Sequence, residues 1–205
     1  YLGISQKLNS DDVNEDVISQ SKITYLEGYL WDLDDAQVAI KKATKVAKEN
    51  NKIVAFSVSD VFCIERFKES FLSLINEEAD IIFANEEEIK SLLGTSDLDE
   101  SINIIKDRNK IFAITLGENG AMIINKENVF FANVPQSDES ETGRCLVMVT
   151  PDAQRTMSTY LGISQKLNSD DVNEDVISQS KITYLEGYLW DLDDAQVAIK
   201  KATKV

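Results

Sequence analysis

Residues 1–46 of this chain recur letter for letter as residues 160–205. The run that begins YLGISQKLNS and ends KKATKV stands at Tyr1–Val46 and again at Tyr160–Val205. Solenoid repeats drift in sequence and have periods of roughly 20–50 residues. An identical copy at long offset is a different kind of repeat. It points to recent duplication, engineering, or a reading frame carried round a closed piece of DNA. Two identical strand–helix units, Ile23–Val46 and Ile182–Val205, then compete for one place beside the strand expected at Ile53–Val58. The first is joined to that strand by a short loop and the second by a far longer one. Closure entropy grows with the logarithm of loop length, a preference of ~1–2 kcal/mol. The first copy is expected to win within a monomer. The second keeps an apolar stripe and an unpaired strand edge. It is expected to pack poorly, or to dock on another chain in a domain-swapped homo-oligomer.

Composition narrows the function classes. A length of 205 residues allows one or two domains, and a hydrophobic content of 43% suits a globular core. The formal net charge is −15, without histidine. That argues against nucleic acid, whose backbone is bound by Lys and Arg replacing counterions. A nucleotide is not excluded, because backbone amides and Mg²⁺ can hold its phosphates. Without histidine there is no Ser-His or Cys-His catalytic pair. Cys63 and Cys145 have neither metal-site nor disulfide spacing, and each sits in an apolar stretch, so both are expected as buried thiols. No apolar run approaches the ~20 residues that span a bilayer. No signal peptide is recognised, and the chain starts on Tyr1, not Met. The expectation is a cytoplasmic protein with no membrane partner, its true N-terminus elsewhere.

Taken in order, the chain alternates strands and helices. Asn9–Gln20 predicts a short surface helix, and Ile23–Leu30 a strand. Asp32 is placed to cap a helix with Asp35 in its first turn. Ala36, Ala39, Ile40, Ala43, Val46 and Ala47 form its stripe, and Asn50 and Asn51 end it. Ile53–Val58 is a second strand. Ile64, Phe67, Phe71, Leu74 and Ile75 line the next helix. Asp80–Ala84 is a third strand, followed by a helix over Asn85–Leu93 closed by Gly94 and another over Leu98–Lys106. Lys110–Leu116 is a fourth strand, and Ala121–Ile124 with Val129–Phe131 makes a hairpin. Apolar strands separated by amphipathic helices indicate a parallel α/β sheet with both faces covered. Residues 136–141 (QSDESE) are acidic and polar, a linker. Arg144–Thr150 and Gln154–Tyr160 flank Pro151-Asp152, a turn pair, and predict a second hairpin. The second copy then offers one strand and one helix with no sheet to complete.

Ligands of such sheets bind beyond the carboxyl ends of the strands. Four stretches lie there: Glu27-Gly28, Ser57 to Asp60, Asn85 to Glu88 and Thr115 to Gly120. Asn85 and Glu88 have the spacing of a helix-capping pair; Glu88 could equally sit near a Mg²⁺-bound water. Gly117 and Gly120 either form a tight turn or let the backbone approach a ligand. Arg155 is a cation on the second hairpin. Glu27 is a carboxylate between apolar neighbours. Asp32, Asp35 and the acidic runs read as helix starts and solvated faces.

Five motifs together resemble the PfkB/ribokinase family of small-molecule kinases, and its adenosine-kinase-like branch most. They are TGRCLVMVTPDAQRTMSTYLG (Thr142–Gly162), YLEGYLWD (Tyr25–Asp32 and its copy), FSVSDVFCIERF (Phe56–Phe67), FANEEE (Phe83–Glu88) and TLGENGA (Thr115–Ala121). The resemblance implies a Rossmann-like α/β core with a β-hairpin lid. It also implies ATP and Mg²⁺ as cofactors, and phosphoryl transfer to a hydroxyl of a sugar or nucleoside. Asn85 and Glu88 match its Asn-x-x-Glu motif, with Glu88 near the metal through water. Thr115, Gly117 and Gly120 match its nucleotide-binding turn. Arg155 and Glu27 fall on the substrate and lid side. Two departures matter. No Gly-Ala-Gly-Asp occurs, the motif whose glycines form the anion hole and whose Asp is the general base, so no catalytic residue can be assigned. The N-terminal paired-glycine substrate segment is also lacking. The order is rotated as well: reading 142–205 and continuing at 47 restores the family order. The expectation is an internal, rotated and partly duplicated piece of such a kinase, inactive as it stands. It comprises a truncated core at 1–135, a linker at 136–141, a lid-like hairpin at 142–160 and the duplicate at 160–205. Two alternatives remain open. One is a nucleotide-binding module without turnover; the other is a chain arising from a circularised gene fragment.

Overall fold

A computed structural model describes residues 3–126, 128–132, 141–152 and 154–205. The chain forms two units, Tyr1–Ala132 and Asn133–Val205. The linker expected at 136–141 lies, up to residue 140, outside the described residues.

The first unit opens with two short 3-10 turns and helix α1 (Glu15–Gln20). Strand β1 (Ile23–Glu27) follows, then a 3-10 turn over Gly28–Asp32 and helix α2 (Asp34–Glu49). Next come β2 (Ile53–Ser57), α3 (Val61–Glu77), β3 (Ile81–Asn85), α4 (Glu86–Leu93), α5 (Leu98–Lys106), β4 (Ile111–Thr115), β5 (Ala121–Ile124) and β6 (Val129–Ala132). The sheet order is simply β1-β2-β3-β4-β5-β6. β1 to β4 are parallel, and β5 and β6 run antiparallel. The parallel α/β sheet expected from the sequence is present, and its helices fall where expected except that the helix expected over Asn9–Gln20 is a 3-10 turn at Ser10–Asp12 followed by α1 over Glu15–Gln20.

Local chemistry sets the helix ends. Asp60 caps α3 by accepting from the Cys63 amide at 2.6 Å, Asp97 caps α5, and Gly94 ends α4 in the left-handed region at φ 74°. Asp32 does not cap α2 as expected. The N-cap is Leu33, without a side-chain cap bond, because Asp32 is still inside the preceding 3-10 turn. There it pairs with Arg66 at 2.9 Å. The same turn shortens the expected strand at Glu27.

The core lies on one face of the sheet. Val54, Phe56, Ile82, Phe112 and Ile114 point to it from the strands, and Ile40, Ile64, Phe71, Ile75, Ile89 and Leu92 from the helices. The large side chains one place along each strand face the other way and stay exposed: Ile23, Tyr25, Ile53, Phe83, Ile111 and Ile123, while the small Ala55 on that face is buried. The expectation of two covered faces is therefore corrected. Strands laid down in sequential order, with right-handed crossovers, put every helix on one side. Covering the second face takes a reversal of strand order, and β1 to β4 contain none.

The second unit is a β-hairpin, β7 (Thr142–Val149) with β8 (Arg155–Gly162), then α6 (Glu174–Gln179) and α7 (Asp193–Ala202). The expected second-copy strand is not formed: residues 182–186 carry no ladder. Cys63 is buried, but Cys145 is exposed, contrary to expectation. It stands on the two-stranded hairpin, which has no second layer of its own, beside Thr159 Oγ1 at 3.2 Å.

Candidate functional site

The carboxyl ends of β1 to β4 form one rim. Parallel register sets Glu27 opposite Ser57, and Asn85 opposite Thr115. The four stretches singled out in the sequence are thus neighbours along a single sheet edge.

At the first station Glu27 is half-buried. Its Oε1 accepts from the Tyr25 hydroxyl at 2.6 Å, and its Oε2 from Ser59 Oγ at 3.1 Å. Ser59 Oγ also accepts from the Tyr29 amide at 3.1 Å. Ser59 has φ 71°, a conformation a non-glycine residue adopts at a cost of order 1–3 kcal/mol. Glycine is required next door: a Cβ on Gly28 would stand 2.9 Å from the Val58 carbonyl oxygen and 3.0 Å from Phe71. Backbone packing and the Glu27–Ser59 bond together hold this strained turn. Burial raises the Tyr25 phenol, with Glu27 adding to it; burial and then Asp60 raise the Tyr29 phenol. Cys63 is pushed up to about 11, by burial first and Asp60 next, so its thiol is inert.

At the third station Asn85 and Glu88 form a reciprocal capping box. Asn85 Oδ1 accepts from the Glu88 amide at 2.8 Å, and Glu88 Oε2 accepts from the Asn85 amide at 2.8 Å. Glu88 Oε1 also accepts from Asn85 Nδ2 at 2.7 Å. The structural reading of this pair is therefore realised. Yet Glu88 is 9% exposed, and burial raises its carboxyl above the usual range, with the Asp60 charge adding to the effect. A desolvated carboxylate of this kind is one that a nearby cation would relieve.

At the fourth station Thr115 ends β4, and a 3-10 turn over Gly117–Asn119 leads back into β5. Leu116 donates to the Gly120 carbonyl at 2.8 Å. Gly117 has φ 59°, with open space where a Cβ would stand; Gly120 has φ 84°. The turn is tight, as its simplest reading required, and its outer side is free for approach. Arg155 opens β8 in the other unit and is exposed. Among the described residues no three His, Cys, Asp or Glu side chains converge as a metal cage. Mg²⁺ needs none, since it binds through one or two carboxylates plus phosphates and water.

Sequence reasoning named the stretch Ser57 to Asp60 without singling out Ser59, Asp60 or Tyr29. No residue pattern announces positive φ at a serine. The available signal was position: a polar Ser-Asp pair directly after an apolar strand.

A mostly parallel α/β sheet with a carboxylate-and-glycine rim at its strand ends is the fold class in which ligands bind beyond the strand ends, the Rossmann-like class. Residues 2–138 match the pfkB family carbohydrate kinase profile; the chain belongs to that family. It is similar to the adenosine kinase of Sinorhizobium meliloti, with 34% identity and a TM-score of 0.61 over 65% of this chain and 41% of that one. It is similar to a probable sugar kinase of Rhizobium etli CFN 42, with 37% identity and a TM-score of 0.62 over 66% and 42%. The fold is shared with a putative ribokinase II of E. coli in complex with ATP and Mg²⁺, at 20% identity and a TM-score of 0.56 over 65% and 44%. In sequence it is 26% identical to the 5-dehydro-2-deoxygluconokinase of Clostridium perfringens, over 59% of this chain and 38% of that protein. The chain thus spans about two fifths of the length of these relatives.

Proposed function

We propose that this chain carries the nucleotide side of an ATP-dependent small-molecule kinase acting on a sugar or nucleoside hydroxyl, an adenosine-like acceptor being favoured, in the cytoplasm. The observation that carries the proposal is the pairing of a desolvated Glu88, beside Asp60, with an open glycine turn one strand away. In this reading Glu88 holds Mg²⁺ through water, and the Thr115, Gly117 and Gly120 backbone approaches the nucleotide. Glu27 faces the acceptor, and Arg155 belongs to a lid hairpin at 142–160 that serves a core over 1–135. Mg²⁺ would neutralise charge on the phosphates.

Phosphoryl transfer rests on positioning and electrostatic stabilisation, and the 205 residues contain no Gly-Ala-Gly-Asp to supply an anion hole and base. The chain by itself is therefore expected to bind Mg-nucleotide weakly and to turn over neither adenosine nor common sugars. Calorimetry with Mg-ATP tests this. Weak binding lost on Gly117→Val supports the site, whereas tight binding that the substitution leaves unchanged places the nucleotide elsewhere. Product formed at rates near ~1 s⁻¹, within the kinase range, would overturn the expectation of inactivity.

A further inference from the structure

The seat that the first copy occupies beside β2 fits the second copy equally well, because the two are one sequence. The second copy is already assembled internally. Lys201 Nζ donates to the Ser169 carbonyl at 3.0 Å and pairs with Glu174 at 3.1 Å. Gln196 Nε2 donates to the Trp190 carbonyl at 2.7 Å. The first copy has the same set: Lys42 to Ser10 at 3.0 Å, Lys42 to Glu15 at 3.0 Å and Gln37 to Trp31 at 2.9 Å. What the second copy lacks is the environment. Trp190 is 45% exposed where Trp31 is 1%, and Leu185 is 39% where Leu26 is 8%. The seat also lies at the end of the sheet, since β1 is its first strand. Exchange there leaves the β2–β6 ladders closed.

We propose that this seat is a binding site for Ile182–Val205 of the same chain, which enters as Ile23–Val46 leaves, giving one chain two mutually exclusive folds. A tethered segment acts at an effective concentration in the millimolar range, far above that of a second molecule in dilute solution. The first copy holds the seat at rest for a covalent reason. Helix α2 runs unbroken through Val46 into Ala47, and the Asn50 amide still bonds back to the Val46 carbonyl at 3.2 Å. Ala47 is bonded to Val46, so Val205 placed in the same seat would meet Ala47 without a peptide bond.

Two glycines and two tryptophans make this testable in the full chain. A Cβ on Gly28 strikes the Val58 carbonyl and Phe71, while one on Gly187 meets nothing within 4 Å. Gly28→Val therefore bars the first copy, and Gly187→Val bars the second without touching the resting state. The tryptophans, one per copy, report occupancy by acrylamide quenching. Trp190→Phe leaves Trp31 as the sole reporter, and Trp31→Phe leaves Trp190. In the parent Trp31 is shielded and Trp190 open. Under Gly28→Val the two are expected to change places, the chain staying monomeric through dilution. Gly187→Val alone is expected to change nothing, and the double variant to leave both tryptophans open. Trp31→Asp empties the seat independently of Gly28, with Trp190 as reporter. Trp190 remaining open under both Gly28→Val and Trp31→Asp overturns the proposal. So does shielding that vanishes on dilution, because the occupant is then a second chain.

Discussion

Residues 23–27 and residues 182–186 are the same five residues, ITYLE, in two settings. The first set is a strand in register with β2, Ile23 opposite Ile53 through to Glu27 opposite Ser57. The second carries no ladder, and Tyr184 is exposed. Around them the copies agree. Asn14 and Asn173 cap α1 and α6 with the same backbone angles, φ −82° and ψ 101°. Asn9–Asp12 and Asn168–Asp171 form the same capping box. Helices α2 and α7 both begin after a leucine N-cap. Capping bonds and i-to-i+4 ladders close within a few residues, so they travel with the sequence. A strand's hydrogen bonds are made by its neighbour, and its apolar side chains need a covered face. Those come only from β2, α2 and α3.

The largest expected effect separates the copies at tryptophan. Trp31 packs edge-on against Phe71, ring centroids 5.7 Å apart, so Trp31→Ala is expected to cost about 3–5 kcal/mol in denaturant unfolding. Trp190→Ala, made at an exposed position, is expected to stay within about 0.5 kcal/mol. Equal costs would mean that Trp190 is packed as Trp31 is.

Amide exchange read residue by residue sharpens the contrast next. The amides of 23–27 facing β2 are expected to be protected to the level of the sheet. Those of 182–186 should exchange near the rate of open loops. Equal protection would show a sheet position for both copies.

Acid distinguishes the rim from the repeat. Glu88 lies outside the duplicated stretch, and its folded carboxyl is raised above its ordinary value of 4.5, burial being the main cause. Its contribution is present in full below the unfolded value and lost as pH rises through the folded one. The first unit is thus expected to gain from Glu88 as pH falls from neutral into the mildly acid range. Glu88→Gln should flatten that part of the profile, and an unchanged slope would assign it to other carboxylates. The smallest effect is one that should not separate the copies at all. Lys42→Ala and Lys201→Ala each remove a partly exposed ion pair of nearly the same length, about 0.2–1 kcal/mol apiece.

The alternation of elements, the capping pair at Asn85 and the stop at Gly94 were legible, because each is a pattern over a few residues, whereas the caps at Asp60 and Asp97 were not read and the one expected at Asp32 fell on Leu33. The four strand ends that make the rim were legible too. Ser59 was not, since its positive φ is imposed by the packing of Gly28 against Val58 and Phe71. Nor was the exposure of Cys145. Its apolar neighbours imply burial, yet the hairpin that carries it has no second layer of its own.

Sequence alone determined what the repeated stretch does with itself: two capped turns, a helix on either side of ITYLE, the same lysine anchored to the same carbonyl twice. Tertiary structure decided which copy becomes part of a sheet, and that only one face of that sheet is covered. The physical reason is common to both. Helices satisfy their own backbone, whereas a strand is completed by whatever lies next to it. Lying next to β2 depends on the direct run of chain from Val46 into Ala47, which one copy has and the other does not.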